Sequence, residues 1–165
     1  FLSKYKVITG VSTYMLPDDV AEALVEYVKG GGKLVWSDAP TKVTNQEFHE
    51  IFGFSNGDNN YLLMRDVKFS PTSKNEMGVN EVKGSGVANA YISSEVSHTS
   101  QVWFTIEGMM ARSSKAEYEE RSINGIVVNK YGKGTGILIN WIVTSTGDLF
   151  LRSIYPEMIL WALSS

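Results

Sequence analysis

The chain has no cysteine and only two histidines, His49 and His98. The first absence excludes disulfides, thiol nucleophiles, zinc fingers and iron–sulfur clusters. The second leaves any metal site to rest on carboxylates, a donor set that suits calcium or magnesium better than zinc. Basic residues are too few and too scattered for a nucleic-acid surface. There are 15 Lys and Arg against 18 Asp and Glu, a net charge of -3, with no run of positive charge to meet a phosphate backbone. No apolar stretch approaches the roughly 20 residues that span a bilayer. The opening Phe1-Leu2-Ser3-Lys4 lacks the layout of a signal peptide. The lack of cysteine is compatible with any compartment, so localisation stays open.

What remains is 165 residues, 43% hydrophobic, the size of one ordinary domain with its own core. Lys6 to Gly10 is a short β-branched run of the kind that becomes a buried strand. Pro17, Asp18 and Asp19 mark a helix start, proline tolerating the missing N–H and the carboxylates favouring the positive end of the dipole. Val20, Leu24, Tyr27 and Val28 then recur at helical spacing. Gly30-Gly31-Gly32 ends that helix, and Lys33 to Trp36 is a second buried strand. Strand, helix, glycine turn and strand predict a βαβ unit with parallel strands. Asn45 to Phe54 predicts a shorter amphipathic helix.

The middle changes character. Short apolar segments between Val67 and Ile106, broken by glycine and serine, predict several antiparallel strands. Met109 to Arg121 is charged and reads as a solvated loop. Ile123–Asn129 and Thr135–Ile142 predict two strands joined in a hairpin at Tyr131-Gly132-Lys133-Gly134. A last helix spans about Asp148 to Leu163, with Pro156 as a bend or break.

Three segments together resemble a known family. Tyr5-Lys6-Val7-Ile8, Leu16-Pro17-Asp18-Asp19 and Leu24 to Val35 are similar to class I glutamine amidotransferase-like domains of the non-catalytic sort. Among these the chain resembles the trimerisation domain of family 42 β-galactosidases, whose late hairpin Asn129-Lys130-Tyr131-Gly132-Lys133-Gly134-Thr135-Gly136-Ile137-Leu138 also matches. The resemblance implies an α/β fold, a small flavodoxin-like, amidotransferase-like parallel sheet flanked by helices. It implies a single domain over 1–165, with 55–122 as an inserted β-rich region. It also implies a further strand–helix unit before Tyr5, so the chain reads as an excised or trimmed version. Catalytic members carry a Gly-x-Cys-x-Gly elbow, and this chain has neither that nor a serine equivalent, which excludes glutaminase chemistry.

Candidate sites are few. The glycines of Gly30–Gly32 follow a helix and precede a strand, the reverse of a phosphate-binding loop, so they read as a helix cap. Asp38 lies past the second strand, where open α/β sheets place ligands, and Ser12, Thr13 and Tyr14 border the same crevice. They are the candidate ligand-binding residues. Trp103 is the candidate for stacking on a sugar ring, because Trp36, Trp141 and Trp161 fall where core packing is the default. His49 and His98 read as surface residues. A glycosidase needs two carboxylates about 5 to 10 Å apart, and no pair can be assigned from the order of residues. The expectation is a non-catalytic accessory module, without metal or cofactor, for oligomerisation or domain packing in a carbohydrate-active enzyme. Its partners would be other domains of a larger chain or further copies of itself, with carbohydrate as a further candidate. Two readings stay open beside it: a small-ligand or glycan-binding module, and a fragment of a glycoside hydrolase.

Overall fold

The computed structural model describes residues 1–11, 15–40, 42–54, 59–92, 95–112, 117–141 and 148–165. A single 3-10 turn at Leu2–Lys4 precedes β1 (Val7–Val11), α1 (Asp18–Lys29), β2 (Lys33–Ser37) and α2 (Gln46–Ile51). Then follow β3 (Asn59–Pro71), β4 (Val82–Tyr91), β5 (Ser100–Arg112), β6 (Glu117–Tyr131), β7 (Gly134–Ile139) and α3 (Asp148–Ser164). All seven strands form one sheet in the order β1-β2-β7-β6-β5-β3-β4. β1, β2 and β7 are parallel, and every other pairing is antiparallel.

The first third follows its local signals. Asp18 and Asp19 occupy the first turn of α1, and Ala21, Leu24, Val25, Tyr27 and Val28 form its buried face. At its end Gly31, with φ +115°, donates to Val28 O at 3.0 Å and Gly32 donates to Tyr27 O at 2.9 Å. This paired arrangement satisfies the last carbonyls and needs a left-handed residue between them. The Asn45 side chain accepts from Phe48 N and so caps α2. β6 and β7 form the expected hairpin. Gly132, φ +57°, takes the first of its two loop positions, the place where a type II′ turn requires glycine.

The expected α/β architecture is corrected by the sheet itself. The molecule is mostly strand, a mixed seven-stranded sheet curled into a half-barrel, rather than a small flavodoxin-like or amidotransferase-like parallel sheet flanked by helices. The described part of 55–122 supplies β3, β4, β5 and the start of β6 to that same sheet, and β3, β5 and β6 run for 13, 13 and 15 residues. Among the described strands, the three short ones β1, β2 and β7 alone are parallel. Local composition conveyed the strands but could not convey that they continue one ladder.

The curl has identifiable causes. Between Met64↔Gly86 and Val67↔Gly84, Arg65 and Asp66 oppose a single β4 residue, and Asp66 turns left-handed at φ +52°. Trp103 is unpaired between Val102↔Val127 and Phe104↔Ile126, and Gly125 is unpaired one step further on the opposite strand. Each extra residue bends its strand and increases the local twist. The two faces then bury different partners. α1 and α2 pack with Leu34, Trp36, Val127 and Leu138. The other face gathers Val35, Phe69, Phe104, Ile126, Ile137 and Ile139 around Ile154, Met158 and Ala162 of α3. α3 is helical through Pro156.

A second correction concerns Met109 to Arg121. Its described residues pair as strand, with Met109↔Glu120, Met110↔Glu119 and Ala111↔Tyr118. The ladder supplies the backbone hydrogen bonds while Glu120 and Arg121 are exposed, so a loop-like composition coexists with a strand. The Arg65 guanidinium lies 5.0 Å from the centre of the Tyr118 ring, which covers part of this otherwise exposed ribbon.

Candidate functional site

At the C-terminal end of β2 the chain makes a sharp turn at Asp38. Its backbone is left-handed at φ +78°, and it is 2% exposed. Its N–H donates to Ile139 O at 3.0 Å and Trp141 O at 3.1 Å, so the turn is fastened to the end of β7. Ser12, Thr13 and Tyr14, expected beside it, lie outside the described residues. Trp103 does not stand clear of the surface. It is 1% exposed, meets Trp161 edge-on at 4.6 Å and donates through Nε1 to Gln101 Oε1 at 3.2 Å. The bulge turns it toward α3, which regular alternation along the strand would not foretell.

His49 is buried, contrary to its reading as a surface residue, whereas His98 is exposed. Its Nε2 lies 2.8 Å from Val43 O. A carbonyl only accepts, so Nε2 carries the proton, and in the neutral imidazole Nδ1 accepts from the Tyr91 hydroxyl. Tyr91 also stacks on Phe54 at 4.2 Å. Burial pushes the Tyr91 phenol above its ordinary value of 10.0. An unfolded chain would lose that proton near pH 10 while the folded one keeps it. The stabilising contribution is therefore complete below pH 10 and declines above it, by about 1.4 kcal/mol per pH unit for one proton. Tyr91→Phe should lower stability by about 1 kcal/mol at neutral pH and flatten the decline between pH 10 and 11. Urea unfolding across that range checks both; an unchanged alkaline slope would show that Tyr91 does not carry it.

A polar constellation centres on Asn129, 2% exposed on β6. Its Nδ2 donates to Glu50 O at 2.9 Å and Ile51 O at 3.1 Å, which fixes the amide orientation. Its Oδ1 therefore faces three hydroxyls, Thr99 at 2.7 Å, Ser100 at 3.0 Å and Ser97 at 3.3 Å. Gly53, φ +85°, makes the approach possible, because a Cβ there would lie 2.0 Å from Ser100 Oγ. Above this network is a hollow of about 390 Å³ walled by Glu50, Glu95, Ser97, Thr99 and Tyr131, with Phe54 beneath. Burial, then the nearby Glu47 carboxylate, raises the Tyr131 phenol above its ordinary value. Sequence reading missed this site. The one signal was a polar Asn129 closing the apolar run Ile126-Val127-Val128, since a buried amide must find partners.

Where the chain enters β1 and β2, a hollow of about 570 Å³ lies between Tyr5, Tyr27, Gly31, Lys33 and Leu163. Lys33 Nζ donates to Ala162 O at 2.7 Å and so engages the last carbonyls of α3. Desolvation, followed by the charges of Lys130 and Lys6, lowers the Lys33 ammonium below its ordinary value. Among the described residues no group of three or more His, Asp and Glu is placed to hold a metal, and no helix is long and apolar enough to cross a membrane.

No protein-family model matches the chain, and no curated protein matches it. Solved structures do. The β-galactosidase from Bacillus circulans sp. alkalophilus matches with a TM-score of 0.65 and 17% identity, covering 96% of this chain and 23% of that one. The β-galactosidase from Rahnella sp. R3 matches at 0.63 and 16%, again over 96% of this chain and 23% of its own. A cytoplasmic protein from Salmonella typhimurium matches at 0.66 and 15%, over 99% of this chain and 72% of its own. At these identities the likeness is one of fold. The chain spans under a quarter of the length of the β-galactosidases it matches.

Proposed function

We propose that the chain is a non-catalytic accessory module of a larger carbohydrate-active enzyme, serving its oligomerisation or domain packing in the manner of a trimerisation domain. The observation that carries this reading is the lopsided coverage. Nearly all of this chain corresponds to a minor part of β-galactosidases, proteins that include one named as a GH42 enzyme. The surface is compatible with such a role. Leu160 and Leu163, one turn apart on α3, are 59% and 47% exposed, an outward apolar pair on a helix whose other face is already buried.

Sedimentation of the purified chain at tens of micromolar is expected to show an assembly, and the Leu160→Glu/Leu163→Glu double variant a folded monomer whose melting temperature no longer depends on protein concentration. Aryl β-galactosides should not be hydrolysed. A chain that stays monomeric and docks on no companion domain would remove the proposal, and turnover abolished by one carboxylate substitution would replace it with a hydrolase reading.

A second reading, a small-ligand or glycan site at Ser12, Thr13, Tyr14 and Asp38, draws on one observation. Asp38 holds a left-handed backbone at a buried strand end, a strain of the kind that collects at ligand sites. Galactose at a hundred times its dissociation constant should then add about 2.7 kcal/mol of stability, and Asp38→Asn should abolish the gain.

A further inference from the structure

We infer that the hollow above Asn129 receives a cationic, hydrogen-bond-donating group, an alkylammonium or a guanidinium. The argument is a count of protons on its walls. Asn129 Nδ2 spends both of its hydrogens on Glu50 O and Ile51 O, so its oxygen must accept. Thr99 and Ser100 donate to that oxygen. Ser97 donates to it or to one of these neighbours, at 2.8 Å from Thr99 Oγ1 and 2.9 Å from Ser100 Oγ. Each hydroxyl has one proton, and all three point inward to the network. Tyr131 donates its hydroxyl proton to Glu47 Oε1 at 3.4 Å, a carboxylate that is not part of the wall.

Among the described residues, the side chains facing the space therefore offer lone pairs and no protons. Two of them, Glu50 and Glu95, are carboxylates, and among the described residues no Lys or Arg belongs to the wall. Among the described residues Glu50 accepts one bond, from Gln46 Nε2 at 3.2 Å. An anion is repelled from such a site, and a neutral polyol finds acceptors for its hydroxyl protons but no side-chain donors for its oxygens. An ammonium or guanidinium ion has donors only and positive charge, which matches both properties. At about 390 Å³ the hollow holds the end of a long basic chain and its head group. The inference does not depend on the accessory role: the charged group could belong to a free amine or to a lysine or arginine of another polypeptide, the same chemistry from two sources.

Calorimetric titration of the chain with n-butylammonium, spermidine and the peptide acetyl-Gly-Arg-Gly-amide tests it, with galactose and acetate as controls at matched ionic strength. The Asn129 side-chain amide signals in nitrogen-15 NMR report the location. Saturable binding of at least one cation, with those signals moving, is expected, and Glu50→Gln/Glu95→Gln should weaken it by about tenfold or more. Both positions are at least partly exposed, so the double variant should melt with the parent. Spermidine as the strongest probe identifies a free amine as the source, and the arginine peptide as the strongest identifies a polypeptide side chain. Binding of galactose in preference to every cation, cation binding indifferent to the double variant, or no saturable cation binding by about 50 mM would overturn the inference.

Discussion

Asn140→Leu is expected to destabilise the protein by about 3 kcal/mol, lowering the melting temperature by about 10 °C for a chain of this size. The residue is fully buried immediately after β7. Its Oδ1 accepts from Tyr91 N at 2.8 Å, and its Nδ2 donates to Tyr91 O and Asn124 O, both at 2.8 Å. Tyr91 ends β4, the outer strand of the sheet, whereas β7 lies four places away in strand order. One side chain thus binds both backbone groups of a residue across the mouth of the half-barrel, as a neighbouring strand would. Leucine has a similar volume and none of the partners. It would leave one N–H and two carbonyls unpaired, each costing about 1 to 3 kcal/mol before relaxation. The measurement is the urea midpoint at unchanged slope. Asn140→Asp, which keeps the acceptor and loses the donors, should fall between the two. A loss below about 1 kcal/mol for leucine would mean that Asn140 does not hold the curl.

That bond also shows where sequence reading stops. β1, α1 and β2 were legible because each signal was local: a β-branched run, carboxylates at a helix start, glycines at its end. The β6–β7 hairpin was legible for the same reason, since Gly132 names the turn. The curl was not, because it depends on Asp66, Trp103 and Gly125, single residues inserted into ladders whose partners lie far along the chain. Trp103 shows the consequence. Two-residue alternation would separate it from Phe104, yet a bulge turns both into one cluster. Composition misled at Met109 to Arg121, where backbone pairing decides the structure and charge only decides what faces water. Of the candidate site, Asp38 was placed correctly at the strand end, but the Asn129 network assembles residues 29 to 79 positions apart. Nothing short-range marks it except a polar residue in an apolar run, and His49 was misjudged in the same way, its partners Val43 and Tyr91 coming from two different segments.

Gly136→Ala should be at least as damaging, at about 3 kcal/mol or more, because the obstruction is backbone rather than side chain. A Cβ at this position in β7 would lie 2.2 Å from Ile51 O and 2.5 Å from Ile51 Cγ2. The end of α2 is pressed there by a specific device. Asn129 is the register partner of Gly136 across β6 and β7, and its amide grips the carbonyls of Glu50 and Ile51. The two residues therefore act as a pair, one drawing the helix end down and the other making room for it. This predicts coupling. In an Asn129→Ala background the helix end is released and can lift away from an alanine at 136, so the second substitution should cost less than it does alone. A double-mutant cycle by urea unfolding should return an interaction energy of about 1 kcal/mol or more, in the direction of mutual relief. Strict additivity would mean that α2 is seated by its apolar contacts with Trp36 and Leu138 and not by the amide. In that event the hollow above Asn129 should also keep its shape when the amide is removed, which the side-chain variants at Glu50 and Glu95 would not disturb and the Asn129→Ala titration would reveal.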